Sequence, residues 1–440
     1  MSTQSIHLVG AGGAGMSALG LLALRKGWAV SGTDREDGPA LAALRAAGAD
    51  VHVGHSADAI PAKVDVVVLS TAIPATNPEV VAAGERGLTV IHRSDLLAML
   101  MDGHRALAVA GAHGKSTTTA MLSLALGGAT LCVGAEVPWG DGTGAAWGDG
   151  PWFCAEADES DRSLLRLPAE AAILLNVDHD HHSTYASIDE VEDVFRQFIA
   201  ALPADGLLVV GPDPRAQRVA EGAPCAVRVV GDVDGAWAHV DDHTLVLATG
   251  DRVALDLAAP GAHNRENAAC AIALADWCGV PPALAADRIA PFAGVGRRFE
   301  DKGTAGGVRV VDDYAHHPVE VVATLAAARS VHDGRIVAVF QPHLFSRTRA
   351  LAREFGEALS SADIVVVTDI YAAREAPVPG VDGTLVMSSI SGPDEMMFVP
   401  LLADVPSVLV PDLRPGDLVI TMGAGDITTL GPRILEALGG

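Results

Sequence analysis

Short apolar runs recur along this chain, and between them lie amphipathic stretches in which apolar positions return with helical spacing. That alternation points to parallel α/β folding, because strands covered by helices on both faces need apolar side chains on both faces. The runs "IHLVG", "WAVSGTD" and "VDVVVLS" predict strands, with helices over Gly15–Lys26 and Leu41–Ala47. This unit closes near Arg105, giving a first domain over residues 1–104. A second, residues 105–298, opens with the strand "RALAVAG" and carries "WFCAEAD" and "AAILLNV" as further buried strands. Within it the stretch from Ala226 to Leu257 alternates apolar and polar residues, which predicts antiparallel pairing. A third, residues 299–440, begins with "VRVVDDY" and continues through "RIVAVFQ", "DIVVVTD" and "DLVITMG". The reading is three α/β domains in series, with no solenoid-type repeat.

Composition narrows the partners. The 440 residues carry 30 Lys plus Arg against 55 Asp plus Glu, a net charge of -25. A field of that sign repels nucleic acid and anionic membrane unless a basic patch outweighs it, and the sequence has no basic run that could. The cysteines, Cys132, Cys154, Cys225, Cys270 and Cys278, are scattered and form no CxxC pair, which fits a reducing compartment and no thiolate metal cluster. Leu8–Leu24 is uncharged, but "MSTQS" before it lacks the positive region of a signal peptide, and glycines interrupt it. The expectation is a soluble cytoplasmic protein, monomer or homodimer, without membrane insertion.

Those glycines carry chemistry. "GAGGAG", comprising Gly10, Gly12, Gly13, Ala14 and Gly15, follows a predicted strand and opens a predicted helix, where backbone N–H groups can approach a pyrophosphate. Asp34, at the end of the next strand, could accept a ribose hydroxyl. The pair fits an NAD(P)-dependent oxidoreductase, any other nucleotide diphosphate, or a tight turn with close helix packing.

A second loop, "GAHGKST", also stands between a strand and a helix. The usual phosphate-loop spelling has glycine where this chain has Val109, with Gly111 nearer the Gly114–Lys115 pair. Lys115 would neutralise phosphate, and Ser116 or Thr117 would offer a hydroxyl to Mg2+. "FCAEADESD" brings Glu156 and Asp158 to a strand end, where carboxylates would meet that cation; Asp158, Glu159 and Asp161 read equally as a solvated acidic loop. "NVDHDHHSTY" offers His179, His181 and His182, a zinc cluster or one ligand to a second Mg2+.

Taken in order, "GAGGAGMSAL", "GAHGKSTTTA", "EADESD", "NVDHDHHSTY", "HNRENAACAIALA", "GVGRRFE", "DDYAHHPVE", "FQPHLFSRT" and "MGAGDI" resemble the Mur ligases along almost the whole chain. The resemblance implies a Rossmann-like N-terminal domain, a central P-loop ATPase-type domain and a Rossmann-like C-terminal domain. It also implies a reaction: ATP-dependent formation of an amide bond through an acyl phosphate, giving ADP and phosphate, in peptidoglycan precursor synthesis. UDP-N-acetylmuramate and L-alanine are the implied substrates; a relative attaching a preformed peptide is the alternative.

By resemblance Gly111, His113, Gly114, Lys115, Ser116 and Thr117 hold ATP, with Ser116, Glu156 and His181 on Mg2+. His263, Asn267, Arg298 and Asp313 complete the ATP site, although His263 and Asn267 also read as polar residues capping a helix. Tyr314, His316, His343 and Arg347 receive the amino acid, and Lys115, Glu156, His181 and His343 are the implied catalytic set. Gly10–Gly15 hold the UDP pyrophosphate, with Ser70 and Thr71 at the next strand end. The chain departs from the family pattern at Ser183, usually Asp, and at Leu344, commonly Arg; the lysine that sister ligases carry beyond Tyr185 has no evident counterpart.

Overall fold

The computed structural model describes residues 4–140, 142–180, 184–373 and 375–439. Four sheets order the chain. The first runs β3-β2-β1-β4-β5 and is wholly parallel, from β1 (Ser5–Val9), β2 (Ala29–Asp34), β3 (Asp50–Val53), β4 (Val66–Leu69) and β5 (Val90–His92). Its helices are α1 (Ala14–Arg25), α2 (Pro39–Ala46), α3 (Pro78–Glu85) and α4 (Arg93–Met101). Proline opens α2 and α3, where its missing N–H is one that a helix start leaves unbonded.

The second sheet, β12-β11-β10-β6-β9-β7-β8, joins β6 (Arg105–Ala110), β7 (Thr130–Cys132), β8 (Ala145–Ala146), β9 (Trp152–Glu156), β10 (Ala171–Leu174), β11 (Leu207–Val210) and β12 (Ala226–Val229). Helices α5 (Lys115–Leu126), α6 (Ile188–Ala200) and α7 (Pro214–Val219) connect them. The hairpins β13 (Ala238–Asp241), β14 (Thr244–Leu247) and β15 (Arg252–Ala254) form an antiparallel sheet of their own. The antiparallel expectation for Ala226–Leu257 therefore needs a correction at its start, because β12 pairs parallel with β11. As an edge strand it exposes one end and half-buries the other, so its apolar-polar alternation resembles that of a hairpin strand.

Helices α8 (Ala262–Trp277) and α9 (Pro282–Ile289) lead to the last sheet. It is ordered β16-β17-β21-β18-β19-β20, from β16 (Glu300–Ala305), β17 (Val308–Asp313), β18 (Ile336–Phe340), β19 (Ile364–Val367), β20 (Glu395–Phe398) and β21 (Leu418–Met422). Only β16 runs antiparallel. Helices α10 (Pro318–Val331), α11 (Phe345–Leu359), α12 (Thr384–Met387), α13 (Val405–Leu409) and α14 (Leu430–Gly439) accompany it. Each central strand feeds two cores. Val311, Ala338, Phe340, Val365 and Ile420 join one cluster, and Val310, Val337, Val339, Val366 and Val419 the other. Every one is fully buried and contributes on the order of 1.5 to 3 kcal/mol if its apolar side chain is large, which is why these segments read as unbroken apolar runs.

The chain divides into two compact units. One comprises residues 1–179, 187–256 and 265–295, the other 180–186, 257–264 and 296–440. All five cysteines are free thiols, Cys132, Cys154 and Cys270 buried and Cys225 and Cys278 half-buried. Burial raises every one, Cys132 and Cys278 to about 12. No helix among the described residues is long and apolar enough to cross a membrane.

Candidate active site

In the first unit the strand β6 ends at Ala110, and Gly111 and Gly114 both adopt left-handed backbone, φ +136° and +83°. Side-chain-bearing residues are strained there, so glycine at these two positions lets the loop turn back and aim the start of α5 outward. A Cβ on Gly111 would meet the backbone of Asn176, and one on Gly114 would lie 2.9 Å from the Asn267 carboxamide. Asn176 fixes the loop further, accepting from the His113 N–H at 2.8 Å and donating to the His113 carbonyl at 3.1 Å. Val109 is an interior strand residue, so the place where the usual spelling has glycine lies before the loop.

Lys115, first in α5, turns its ammonium over this loop, donating to the carbonyls of Gly111 (2.8 Å) and Ala112 (3.1 Å) and pairing with Glu159 at 2.9 Å. Burial alone would lower its pKa, but Glu159, Glu156 and Asp158 outweigh it and hold the amine charged well above its ordinary range. Ser116 donates its hydroxyl to Glu156 at 2.7 Å, and Gly134 N–H donates to the same carboxylate oxygen at 2.9 Å. Thr117 is buried in the same turn. The acidic run is not a solvated loop: Glu159 is buried on Lys115, while Asp158 and Asp161 receive Arg93 at 2.8 and 3.3 Å. Burial would raise Asp158, yet Lys115 and Arg93 hold it well below the usual carboxylate range.

Four acidic groups (Glu156, Asp158, Glu159, Asp161) thus face two basic ones (Lys115, Arg93), a surplus of two negative charges when all are ionised. With the Ser116 hydroxyl beside Glu156, this is a set of hard oxygen donors with the charge deficit that a divalent cation such as Mg2+ fills. His181, the implied second ligand, lies outside the described residues, as do His182 and Ser183. His179 is described and half-buried.

In the same unit the loop after β1 is built on Thr33, whose carbonyl accepts from Gly10 N–H and Ala11 N–H, both at 2.8 Å. Gly10 is left-handed, φ +81°, and Gly13 and Ala14 lead into α1 beside Gly15. Asp34 accepts from Gly12 N–H at 2.8 Å, a carboxylate at the strand end satisfying an amide at the positive end of α1. A Cβ on Gly15 would lie 3.5 Å from the Arg93 guanidinium. Gly15, Arg93, Glu156 and Asp158 line one cavity of about 70 Å³. Ser70 and Thr71 follow β4, with Ser70 accepting from Ile73 N–H at 3.1 Å.

The second unit gathers the remaining residues. In "GVGRRFE", Arg297 and Phe299 take left-handed backbone, φ +58° and +52°. Asp313 holds that strained turn, accepting from Phe299 N–H (2.7 Å) and Ala315 N–H (2.8 Å), and burial raises its carboxyl to about 6 despite Arg298. Two guanidinium groups lie over the Tyr314 ring, Arg297 at 4.9 Å and Arg298 at 5.2 Å, and Arg298 reaches Glu320 at 3.3 Å. His316 sits edge-on to both Tyr314 and His343, and His343 stacks on Tyr371. Arg347 donates to His343 Nδ1 at 3.2 Å and pairs with Asp180 at 2.6 Å, both charges almost wholly buried. An acceptor Nδ1 makes His343 neutral with its proton on Nε2. Burial lowers His343 to about 3, with His316 and Arg347 adding to it, and lowers His316 to about 4 against the pull of Glu320. Leu344, before α11, is left-handed at φ +68°. Asn267 belongs with the phosphate loop, whereas His263, one turn earlier in α8, belongs to this second unit beside Gly261.

Sequence reasoning missed Arg93, Asn176, Asp180 and Glu320. Asn176, Asp180 and Glu320 stand inside the quoted motifs "NVDHDHHSTY" and "DDYAHHPVE", but their contacts with His113, Arg347 and Arg298 are not written in those motifs; Arg93 stands in no motif.

Three family descriptions match the chain: "Mur ligase family, catalytic domain" over residues 5–105, "Mur ligase middle domain" over 154–275 and "Mur ligase, glutamate ligase domain" over 297–425. The chain is 44% identical to the UDP-N-acetylmuramate--L-alanine ligase of Streptomyces griseus, covering 98% of this chain and 97% of that protein. It is 45% identical to the protein of that name from Rubrobacter xylanophilus, covering 99% and 100%. Among solved structures it resembles the UDP-N-acetylmuramate-alanine ligase of Thermotoga maritima, with a TM-score of 0.81, 27% identity and 98% of each chain covered. With three of its domain models matched and relatives 44–45% identical along almost the whole length, the chain belongs to the Mur ligase family.

Proposed function

We propose that this ligase joins L-alanine to the carboxylate of UDP-N-acetylmuramate in peptidoglycan precursor synthesis, converting ATP to ADP and phosphate. The observation that carries the reading is the cluster of Lys115, Ser116 and Glu156 in a chain 43–46% identical, end to end, to proteins of that one name. A carboxylate is a poor electrophile and the γ-phosphate repels it, so cations must quench both before attack. Lys115 supplies a permanently charged ammonium over the loop, with Gly111, His113, Gly114 and Thr117 shaping the phosphate cradle and Asn267 closing it. Ser116 and Glu156 would hold Mg2+, with His181 as ligand to a second, and the metal would neutralise phosphate charge there.

In the first step the carboxylate oxygen attacks the γ-phosphorus and ADP leaves; in the second the amine of L-alanine attacks the acyl carbon and phosphate leaves. In this reading residues 1–104 hold the UDP moiety through Gly10–Gly15, Ser70 and Thr71, and residues 105–298 hold ATP. Arg298, the last residue of that span, and Asp313 from residues 299–440 would serve the nucleotide, and Tyr314, His316, His343 and Arg347 would receive the amino acid. His343, neutral with its proton on Nε2, can donate that N–H to the substrate, and Arg347 suits the α-carboxylate. A reaction fed by ATP and a UDP-sugar belongs in the cytoplasm.

The test is phosphate release from ATP with UDP-N-acetylmuramate and each amino acid in turn. L-Alanine should be preferred over glycine and L-serine by about ten-fold or more, since one methyl group is worth roughly 1 kcal/mol. A higher kcat/KM for a preformed peptide would instead make the protein a peptide-attaching relative, and competed quenching of NADPH fluorescence would favour an oxidoreductase.

A further inference from the structure

The first unit contains a buried polar cluster that the reaction does not use. Glu79, second residue of α3, is wholly buried. Its carboxylate meets three side chains from three other elements: His7 Nε2 in β1 at 2.8 Å, His55 Nδ1 beyond β3 at 2.8 Å, and the Thr33 hydroxyl in β2 at 2.7 Å. Ser31 completes the group, 2.9 Å from His7 Nδ1. Burying a carboxylate among polar partners stabilises a fold no better than apolar packing of the same volume, so the cluster's contribution lies in the geometry it fixes.

That geometry is specific. Thr33, which donates to Glu79, is the residue whose carbonyl holds the amides of Gly10 and Ala11. From the other side, Asn77 accepts from Glu79 N–H at 2.9 Å and caps α3, ending the loop that begins at Ser70. Ile73, inside that loop, lies over the glycine turn, 2.9 Å from where a Gly10 Cβ would stand. Glu79 therefore links the glycine loop, through its carboxylate on Thr33, to the end of the Ser70–Thr71 loop, through its backbone N–H on Asn77.

We infer that Glu79 is a positioning residue for the UDP-substrate, setting the spacing between the two loops that grip it. This rests on the reading that those loops bind UDP-N-acetylmuramate. The role needs hydrogen bonds in place and no negative charge. In Glu79→Gln, His7 can move its proton to Nδ1, donate to Ser31 and accept from the new amide, so the cluster closes again.

The experiment is a comparison of KM for UDP-N-acetylmuramate, ATP and L-alanine, with kcat, in the full-length enzyme. Glu79→Ala should raise KM for UDP-N-acetylmuramate about ten-fold or more, leaving kcat and the other two KM values within about two-fold. Glu79→Gln should return it to near the wild-type value. His55→Ala, at the open side of the cluster, should give a smaller rise in the same parameter and serves if Glu79→Ala does not fold. A folded Glu79→Ala with an unchanged KM, a rise shared equally by all three substrates, or a Gln variant as impaired as Ala would overturn the inference; so would an unchanged His55→Ala where Glu79→Ala fails to fold. Gly12→Ala, whose methyl group would collide with the Asp34 carboxylate, separates the two readings. If it leaves KM unchanged, the loop is not the UDP site; if it raises KM while the Glu79 and His55 variants do not, only the positioning role fails.

Discussion

Lys115 combines a charge, a depth and a set of partners that no neighbouring residue can replace. Its loss should lower ligase turnover on the order of 100-fold or more, because a preorganised charge at the phosphoryl group cannot be supplied by water in a buried loop. Lys115→Ala should still bind UDP-N-acetylmuramate, measured by calorimetry, since Gly10–Gly15 are untouched. His316 permits a prediction of different kind. Its imidazole titrates near 6.5 when unfolded but only at about 4 when folded. Between those values the unfolded chain binds more protons, so stability is intact above about pH 6.5 and falls as pH drops toward 4, by about 2 kcal/mol at pH 5 from this residue alone. Asp313, raised to about 6, acts in the opposite sense between pH 4 and 6. The urea midpoint of His316→Gln should therefore fall less than that of wild type between pH 7 and 5. At this scale the sequence was legible wherever a residue stands in a local motif. Lys115, Ser116 and Glu156 could be read because strand, loop and helix leave few roles for them. Arg93 and Asp180 could not, since their meaning comes from carboxylates and guanidinium groups far away in the chain.

Elements were legible where burial on both faces demands an apolar run. The strands β1, β6, β10, β18, β19 and β21 all carry such runs, and each lies where the pattern predicts it. Strands β3 and β5 escaped, being short and at the sheet edges, β3 mostly exposed and β5 no more than half-buried, where the pairing partner decides and the side chains say little. The junction of β6 with α5 shows how an element's end depends on a single backbone angle. Gly114→Ala would place a side chain in the left-handed region and against Asn267, a strain of about 1 to 2 kcal/mol or more. That variant should remain folded by circular dichroism while KM for ATP rises at least about ten-fold and KM for UDP-N-acetylmuramate stays unchanged.

At the scale of the whole molecule, the residues proposed for the amino acid all fall within the second compact unit, and this gives a test. Arg347→Ala should raise KM for L-alanine, glycine and L-serine together, since all share the α-carboxylate, and leave the KM for UDP-N-acetylmuramate within about two-fold. Removing Arg347 also strands the buried Asp180 and should lower stability by about 3 to 5 kcal/mol, so Arg347→Lys is the companion variant for the kinetics. The division itself was not legible from the sequence, because Asp180 and residues 257–264 group with residues 296–440 although flanked by segments of the first unit. The five free cysteines have a practical consequence. Because burial keeps their thiolates scarce at neutral pH, the native protein should react slowly with maleimide and the unfolded chain quickly. The wild-type chain thus carries its own clock for unfolding, wound into β7, β9, α8 and the turns beside β12 and α8, and a cysteine engineered at an exposed position of the second unit could be labelled without removing any of the native ones.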